Sequence, residues 1–268
     1  MPQSQIPRPG THECWMAHAL RLAERGRYSV SPNPMVGACV VKDSRLIADG
    51  YHERYGGDHA EVLALKRAGT RAKAAVLYVT LEPCSSWGKT PPCVNAIVQA
   101  GIRRVIVGTL DPNPKHQGRG ITALKRAGIA VTAGILSDEI SKQNEAFFKY
   151  IRTGLPFVSL KMAQSLDGKI AAETGASRWI SSPASRDFVQ RLRAEQDAIL
   201  VGARTLRMDN PRLKPDVRIK HLNPTKPWRV GLDSDGRISP KARIVEGKPL
   251  TLRAVAEAKA RKILATHR

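Results

Sequence analysis

Long hydrophobic runs are missing from this 268-residue chain. No apolar stretch reaches the roughly 20 residues that a bilayer-spanning helix needs. The opening MPQSQIPRPGTH has no apolar core of the kind a secretory leader carries. The expectation is a cytoplasmic protein with no membrane partner. Cysteine is scarce, at four residues, which excludes a disulfide-stapled scaffold and leaves thiols available in a reducing compartment. Aromatic residues make up 5% and nowhere interleave with basic runs, so the stacking platform used by single-strand nucleic-acid binders is lacking. Acidic residues are in deficit: 23 against 44 Lys and Arg, a net charge of +21. Such an excess invites a nucleic-acid reading, but the basic residues are spread through both halves. That pattern fits a field that steers phosphorylated small molecules into a cleft, and no specific nucleic-acid partner is expected. Internal repeats and low-complexity tracts are also absent. A hydrophobic content of 42% excludes a disordered chain, and the length is enough for two cores.

What is present is concentrated in one stretch. His59 and Glu61 stand in HAE, and Cys84 and Cys93 close PCSSWGKTPPC. A catalytic zinc takes three protein ligands and keeps one position open, and one imidazole with two thiolates meets that count. Zinc deaminases place a non-ligand Glu two residues after the His and use it as the proton carrier. The spacing predicts His59 at the start of a helix, AEVLALKRAG, stopped by Gly69; Cys84 after a strand, VLYVTLEP; and Cys93 at the start of a second helix opened by two prolines. A single His or a pair of Cys more often fills a core. Cys39, inside VGACVV, fits that description, and Cys14 has no ligand-like neighbour, so both are set aside. The chemistry implied is hydrolytic deamination of an amino-substituted nitrogen heterocycle, with Glu61 passing a proton from water to a ring nitrogen and to the departing amine.

The spacing of the cysteines narrows the substrate. Nucleic-acid and nucleoside deaminases usually place two residues between them, whereas SSWGKTPP lies there in this chain. Together with LEPCS, GKTPPC, PNPMVGACVV and GYHERYGGDHAE, the pattern resembles the bifunctional riboflavin-biosynthesis deaminase/reductase family. The resemblance implies zinc on His59, Cys84 and Cys93, Glu61 as proton donor, Asn33 reading the pyrimidine, and Lys89 facing the phosphate of a phosphoribosylamino-pyrimidine. The motif of that family has a His after EPCS, where this chain has Ser86, a shorter hydroxyl that carries no charge. Two rival readings remain: a tRNA- or DNA-editing deaminase, distinguished by the shorter cysteine spacing, and a zinc-stabilised scaffold without activity.

Strand and helix patterns alternate as far as Gly154, which predicts a largely parallel sheet covered by helices. Leu155, before Pro156, marks a boundary. The fold expectation is a cytidine-deaminase-like three-layer α/β/α domain over 12–154, then an incomplete dihydrofolate-reductase-like α/β domain over 155–268. In the second block SLDGKIA, ASRWISSP, DAILVGARTLRMDNPRL and RVGLDS are similar to the reductase half. That likeness implies NADPH at Ala163, Trp179, Thr205, Asp209 and Ser234, and substrate at Ser177, Arg193 and Leu213. Asn210 stands where the family tends to have Asp, and the Arg expected after Leu213 is replaced by Lys214, Pro215 and Asp216 or displaced to Arg218. No glycine-rich turn of the kind that cradles pyrophosphate follows, so the reductase half is read as incomplete and its activity is not expected. An unpaired sheet edge of that kind favours self-association, and a homo-oligomer is one expectation.

Overall fold

The computed structural model describes residues 10–216, 227–246 and 251–254; Arg218 lies outside them. The chain divides into two compact units, Met1–Ser159 and Leu160–Arg268.

In the first unit, α1 (His12–Ala23) is capped by Thr11, whose hydroxyl accepts the Cys14 N–H at 3.3 Å. A hairpin follows, β1 (Gly37–Lys42) and β2 (Arg45–Tyr51). Asp43 and Ser44 turn it with φ of 49° and 57°, left-handed values suited to a two-residue hairpin turn. Then come α2 (Ala60–Ala68), β3 (Val76–Leu81), α3 (Cys93–Gln99), β4 (Arg104–Thr109), α4 (Arg119–Arg126), β5 (Ala130–Ala133), α5 (Ser137–Gln143) and α6 (Glu145–Thr153). Gly69 ends α2 at φ 57°, a conformation that glycine adopts without a side-chain penalty.

The sheet order is β2-β1-β3-β4-β5. Pairings β1–β2 and β1–β3 are antiparallel, while β3–β4 and β4–β5 are parallel. The largely parallel sheet expected from the sequence is therefore corrected to a mixed one. Its missing member is β2, RLIADGY, an edge strand whose Asp and Gly interrupt the apolar alternation and whose turn has no glycine to announce it.

Alternation along the strands separates two cores, the three-layer arrangement of an α/β/α unit. Ala38, Val40, Leu77, Val79, Val105 and Val107 face a cluster with Ala64 and Leu65 of α2, Ile97 of α3 and Leu124 of α4. Cys39, Val41, Tyr78 and Ile106 face the opposite side, against Met16 and Ala19 of α1 and Ile140 of α5. Cys39 is fully buried there and its Sγ reaches the Trp15 carbonyl, so it packs as a small apolar residue. Burial pushes its thiol well above the usual range.

The second unit carries α7 (Pro183–Glu195), β6 (Ala198–Gly202), α8 (Ala203–Asp209), β7 (Trp228–Leu232) and β8 (Thr251–Ala254). The Ser182 hydroxyl caps α7 by accepting the Ser185 N–H at 3.2 Å, and Pro183 opens it without wasting a donor. Its strands run parallel in the order β6-β7-β8. Leu206, Leu213, Ile238, Ala242 and Ile244 form its core, whereas Leu160 and Met162 are 84% and 60% exposed.

Candidate metal centre

Three ends of secondary structure meet at one point. His59 holds the N-cap position of α2 in extended backbone (φ −73°, ψ 160°), and its carbonyl accepts the Leu63 N–H at 3.1 Å. That places Glu61 in the first turn, facing inward. Cys84 follows β3, and Cys93 opens α3 directly after Pro92. The Cys93 N–H donates to Cys84 Sγ at 3.3 Å and the Val94 N–H to the Cys84 carbonyl at 3.3 Å, which fastens the post-strand loop to the start of α3.

The ligand atoms of His59, Cys84 and Cys93 all lie within 4.8 Å of one another. His59 Nδ1 is 3.1 Å from Cys93 Sγ and 3.6 Å from Cys84 Sγ. Tetrahedral zinc with bonds of about 2.0–2.3 Å holds its ligand atoms roughly 3.5 Å apart, so the donor set fits zinc in both chemistry and spacing. The other ring nitrogen, Nε2, lies 3.4 Å from the Thr90 hydroxyl, so Nδ1 is the nitrogen presented to the sulfurs.

The electrostatics follow from this crowding. Hydrogen bonding from the Cys93 side chain lowers the Cys84 thiol, with His59 acting the same way, while the bond to Cys84 and burial raise Cys93. His59 is raised chiefly by its bond to Cys84. Glu61 is 3% exposed, and burial pushes its carboxyl up to about 7 against the opposing pull of His59.

Glu61, His59 and Cys84 line a cavity of about 170 Å³ with Asn33, His52, Asp111 and Phe147. The Asn33 amide donates to His52 Nε2 at 3.0 Å, and His52 Nδ1 donates to the Asp58 carbonyl at 3.0 Å. Burial lowers the His52 pKa, in keeping with a neutral ring that donates on one side and accepts on the other. The Asn33 amide is thereby oriented toward the cavity. Lys89 is not in the cavity wall; its Nζ lies 3.9 Å from the centre of the Tyr55 ring.

Several residues of the site escaped the sequence reading. Glu82, 5% exposed, accepts the N–H groups of Asp111 (3.2 Å), Gly118 (2.9 Å) and Ile121 (3.2 Å). It pins the loop that brings Asp111 to the cavity. Its place immediately before ProCys was the available signal. Asn144, 4% exposed, bonds both backbone groups of Met35, accepting its N–H at 2.8 Å and donating to its carbonyl at 3.0 Å. That holds the loop carrying Asn33, and nothing in the sequence pointed to it. Ser86, where an imidazole was expected, has one beside it: its Oγ lies 3.4 Å from His116 Nδ1.

The residues expected to bind NADPH and the second substrate are dispersed through the second unit. Ala163 lines an open groove with Ser181, Ser182 and Phe188. Trp179 is 70% exposed, stacked by the Arg186 guanidinium at 4.2 Å. Arg178 donates to the Asp209 carbonyl at 3.3 Å, which brings Trp179 and the end of α8, with Thr205 one turn earlier, to one corner. Ser234 follows β7 at the surface and Ser177 is half-buried. Arg193 is also half-buried, and desolvation lowers its pKa. Leu213 packs in the core at 4% exposure.

Comparison with known proteins gives two family matches: the cytidine and deoxycytidylate deaminase zinc-binding region over residues 9–109 and the RibD C-terminal domain over residues 156–266. The chain is 46% identical to the riboflavin biosynthesis protein RibD of Escherichia coli (strain K12) over 243 residues, covering 87% of this chain and 66% of that protein. It is 46% identical to RibD of Aquifex aeolicus (strain VF5), covering 86% and 64%. The chain thus spans slightly less than two thirds of the length of these relatives. Among solved structures, Acinetobacter baumannii RibD superposes with a TM-score of 0.87 at 42% identity, covering 94% of this chain and 71% of that one. A deaminase/reductase of Thermotoga maritima superposes with a TM-score of 0.83 at 40% identity, covering 95% and 76%.

Proposed function

The chain belongs to the RibD family of riboflavin-biosynthesis proteins, and from that membership we propose that its first unit, over 12–154, is a zinc-dependent deaminase of a phosphoribosylamino-pyrimidine. The Thermotoga maritima relative is named a diaminohydroxyphosphoribosylaminopyrimidine deaminase, and the same substrate is assigned here. The observation that carries the reading is the meeting of His59, Cys84 and Cys93 within 4.8 Å beside the buried carboxyl of Glu61.

His59, Cys84 and Cys93 would hold the zinc, which when bound would supply an activated water at neutral pH. Glu61 accepts one proton from the attacking water on a carboxylate oxygen and delivers it to the ring nitrogen. It then takes the remaining proton from the hydroxyl newly bonded to carbon and passes it to the exocyclic amine, so that the C–N bond breaks, ammonia leaves and a carbonyl remains. Its burial suits it to hold a proton near neutrality. Asn33, oriented by His52, both donates and accepts toward the pyrimidine edge, and Lys89 faces the phosphate. The net charge of +21 steers the phosphorylated substrate toward the cavity.

In the second unit, over 155–268, Ala163, Trp179, Thr205, Asp209 and Ser234 are the residues that would contact NADPH and Ser177, Arg193 and Leu213 those toward the substrate, but hydride transfer to the ribose of the product is not expected of it. The corner shared by Trp179 and Asp209 fits part of that set. Among the described residues no helix is long and apolar enough to cross a membrane, and we place the protein in the cytoplasm, where thiols stay reduced. The deciding experiment is ammonia release from the phosphoribosylamino-pyrimidine by the purified chain. Release by the wild type and loss of turnover in Glu61→Ala, with zinc retained, support the reading. No release from a zinc-loaded wild type favours the inactive scaffold.

A further inference from the structure

His116 belongs to a loop with little freedom. Its N–H donates to the Asn113 carbonyl at 2.9 Å, its own carbonyl accepts the Arg119 N–H at 3.0 Å, and Glu82 grips the loop on either side of it through Asp111 and Gly118. Two segments flank the cavity here: the one from Cys84 to Lys89 and the one from Asp111 to Gly118. Cys84 and Asp111 each contribute to the cavity wall. The Ser86–His116 contact at 3.4 Å joins these segments just beyond that wall, and the imidazole also lies close enough to the Asp111 carboxyl to act on it electrostatically.

We propose that His116 is a specificity-determining residue that donates a hydrogen bond to the anionic, phosphate-bearing end of the substrate where it leaves the cavity. The proposal rests on the deaminase reading above. In the tautomer required here, the Ser86 hydroxyl donates to Nδ1 across the 3.4 Å contact, so that the ring proton sits on Nε2. Among the described residues no side chain or carbonyl engages Nε2, and the ring is only half-buried, so the donor is accessible to a ligand. Lys89 stands on the same flanking segment as Ser86, so the two segments that flank the cavity carry an ammonium, 3.9 Å from the Tyr55 ring centre, and an imidazole N–H, groups suited to a phosphate monoester. The pyrimidine end, read by Asn33 in the cavity wall, does not depend on His116.

Three measurements test this. In His116→Ala, KM for the phosphoribosylamino-pyrimidine should rise about tenfold to a hundredfold, as expected for loss of a charge-assisted hydrogen bond. kcat, zinc content and melting temperature should stay near wild type. The dephosphorylated substrate should show no such rise, and His116→Gln, which keeps an N–H donor at similar reach, should recover most of the loss. In the wild type, ribose 5-phosphate should shift the imidazole NMR signals of His116, a readout that needs no turnover. An unchanged KM in His116→Ala, an equal loss with the dephosphorylated substrate, or imidazole signals indifferent to ribose 5-phosphate would overturn the proposal. Absence of ammonia release by the wild type would instead strike the deaminase reading, while the ribose 5-phosphate titration would still decide whether His116 meets phosphate.

Discussion

Replacing Glu82 by Gln tests whether one buried carboxylate organises a wall of the cavity. One of its oxygens, Oε2, accepts two backbone N–H groups, from Asp111 and Gly118, and Oε1 accepts that of Ile121. An amide has a single acceptor oxygen, so in the variant an NH2 must face at least one backbone N–H. Hydrogen bonds to a charged group contribute about 1.5–3 kcal/mol each, and an unsatisfied buried donor costs about 1–3 kcal/mol. Because these effects do not add fully, the expected destabilisation is about 2–4 kcal/mol. A unit of this size loses roughly 2–4 °C in melting temperature for each kcal/mol. Urea denaturation would give the free energy, and amide exchange would locate it, with Asp111, Gly118 and Ile121 losing protection. A Glu82→Gln protein within about 0.5 kcal/mol of wild type, with those amides still protected, would refute the reasoning.

The meeting of His59, Cys84 and Cys93 was legible in the sequence because their chemistry is tied to local punctuation. His59 precedes an apolar helical run, and Pro91 and Pro92 announce the helix that Cys93 opens. The α2 stop at Gly69 was equally plain. The β1–β2 hairpin was not, because Asp43 and Ser44 adopt left-handed backbone without a glycine and β2 carries a polar interruption. The alternating pattern that runs as far as Gly154 does not show that its last helical stretch is two helices, α5 and α6, broken at Asn144 (φ −109°, ψ 25°). Its side chain is committed to Met35, 109 positions away, and local periodicity carries no trace of so distant a partner. His52 and His116 were missed for the same reason, each acting through a contact to a distant residue, whereas Glu82 did have a local signal in its place before ProCys.

Asn144→Ala should cost about 1–3 kcal/mol in denaturant unfolding and lower kcat/KM by freeing the loop that carries Asn33, with zinc content unchanged. At Gly120 an added Cβ would strike the Pro83 carbonyl oxygen, so Gly120→Ala should destabilise the fold by about 1–3 kcal/mol, measured by thermal melting. For the second unit, an NADPH absorbance assay with the deaminated product should show no oxidation above background, since Leu160 and Met162 are 84% and 60% exposed rather than packed in a closed core.

The central claim is that an imidazole and two sulfurs, brought together from the starts of α2 and α3 and the end of β3, share one zinc ion. X-ray absorption at the zinc edge, with metal analysis of the purified chain, tests it most directly. The account predicts about one zinc per chain with two sulfur and one nitrogen protein ligands at about 2.3 and 2.0 Å, and loss of the metal in Cys84→Ala. A spectrum without sulfur scattering, or zinc retained in full by Cys84→Ala, would contradict it.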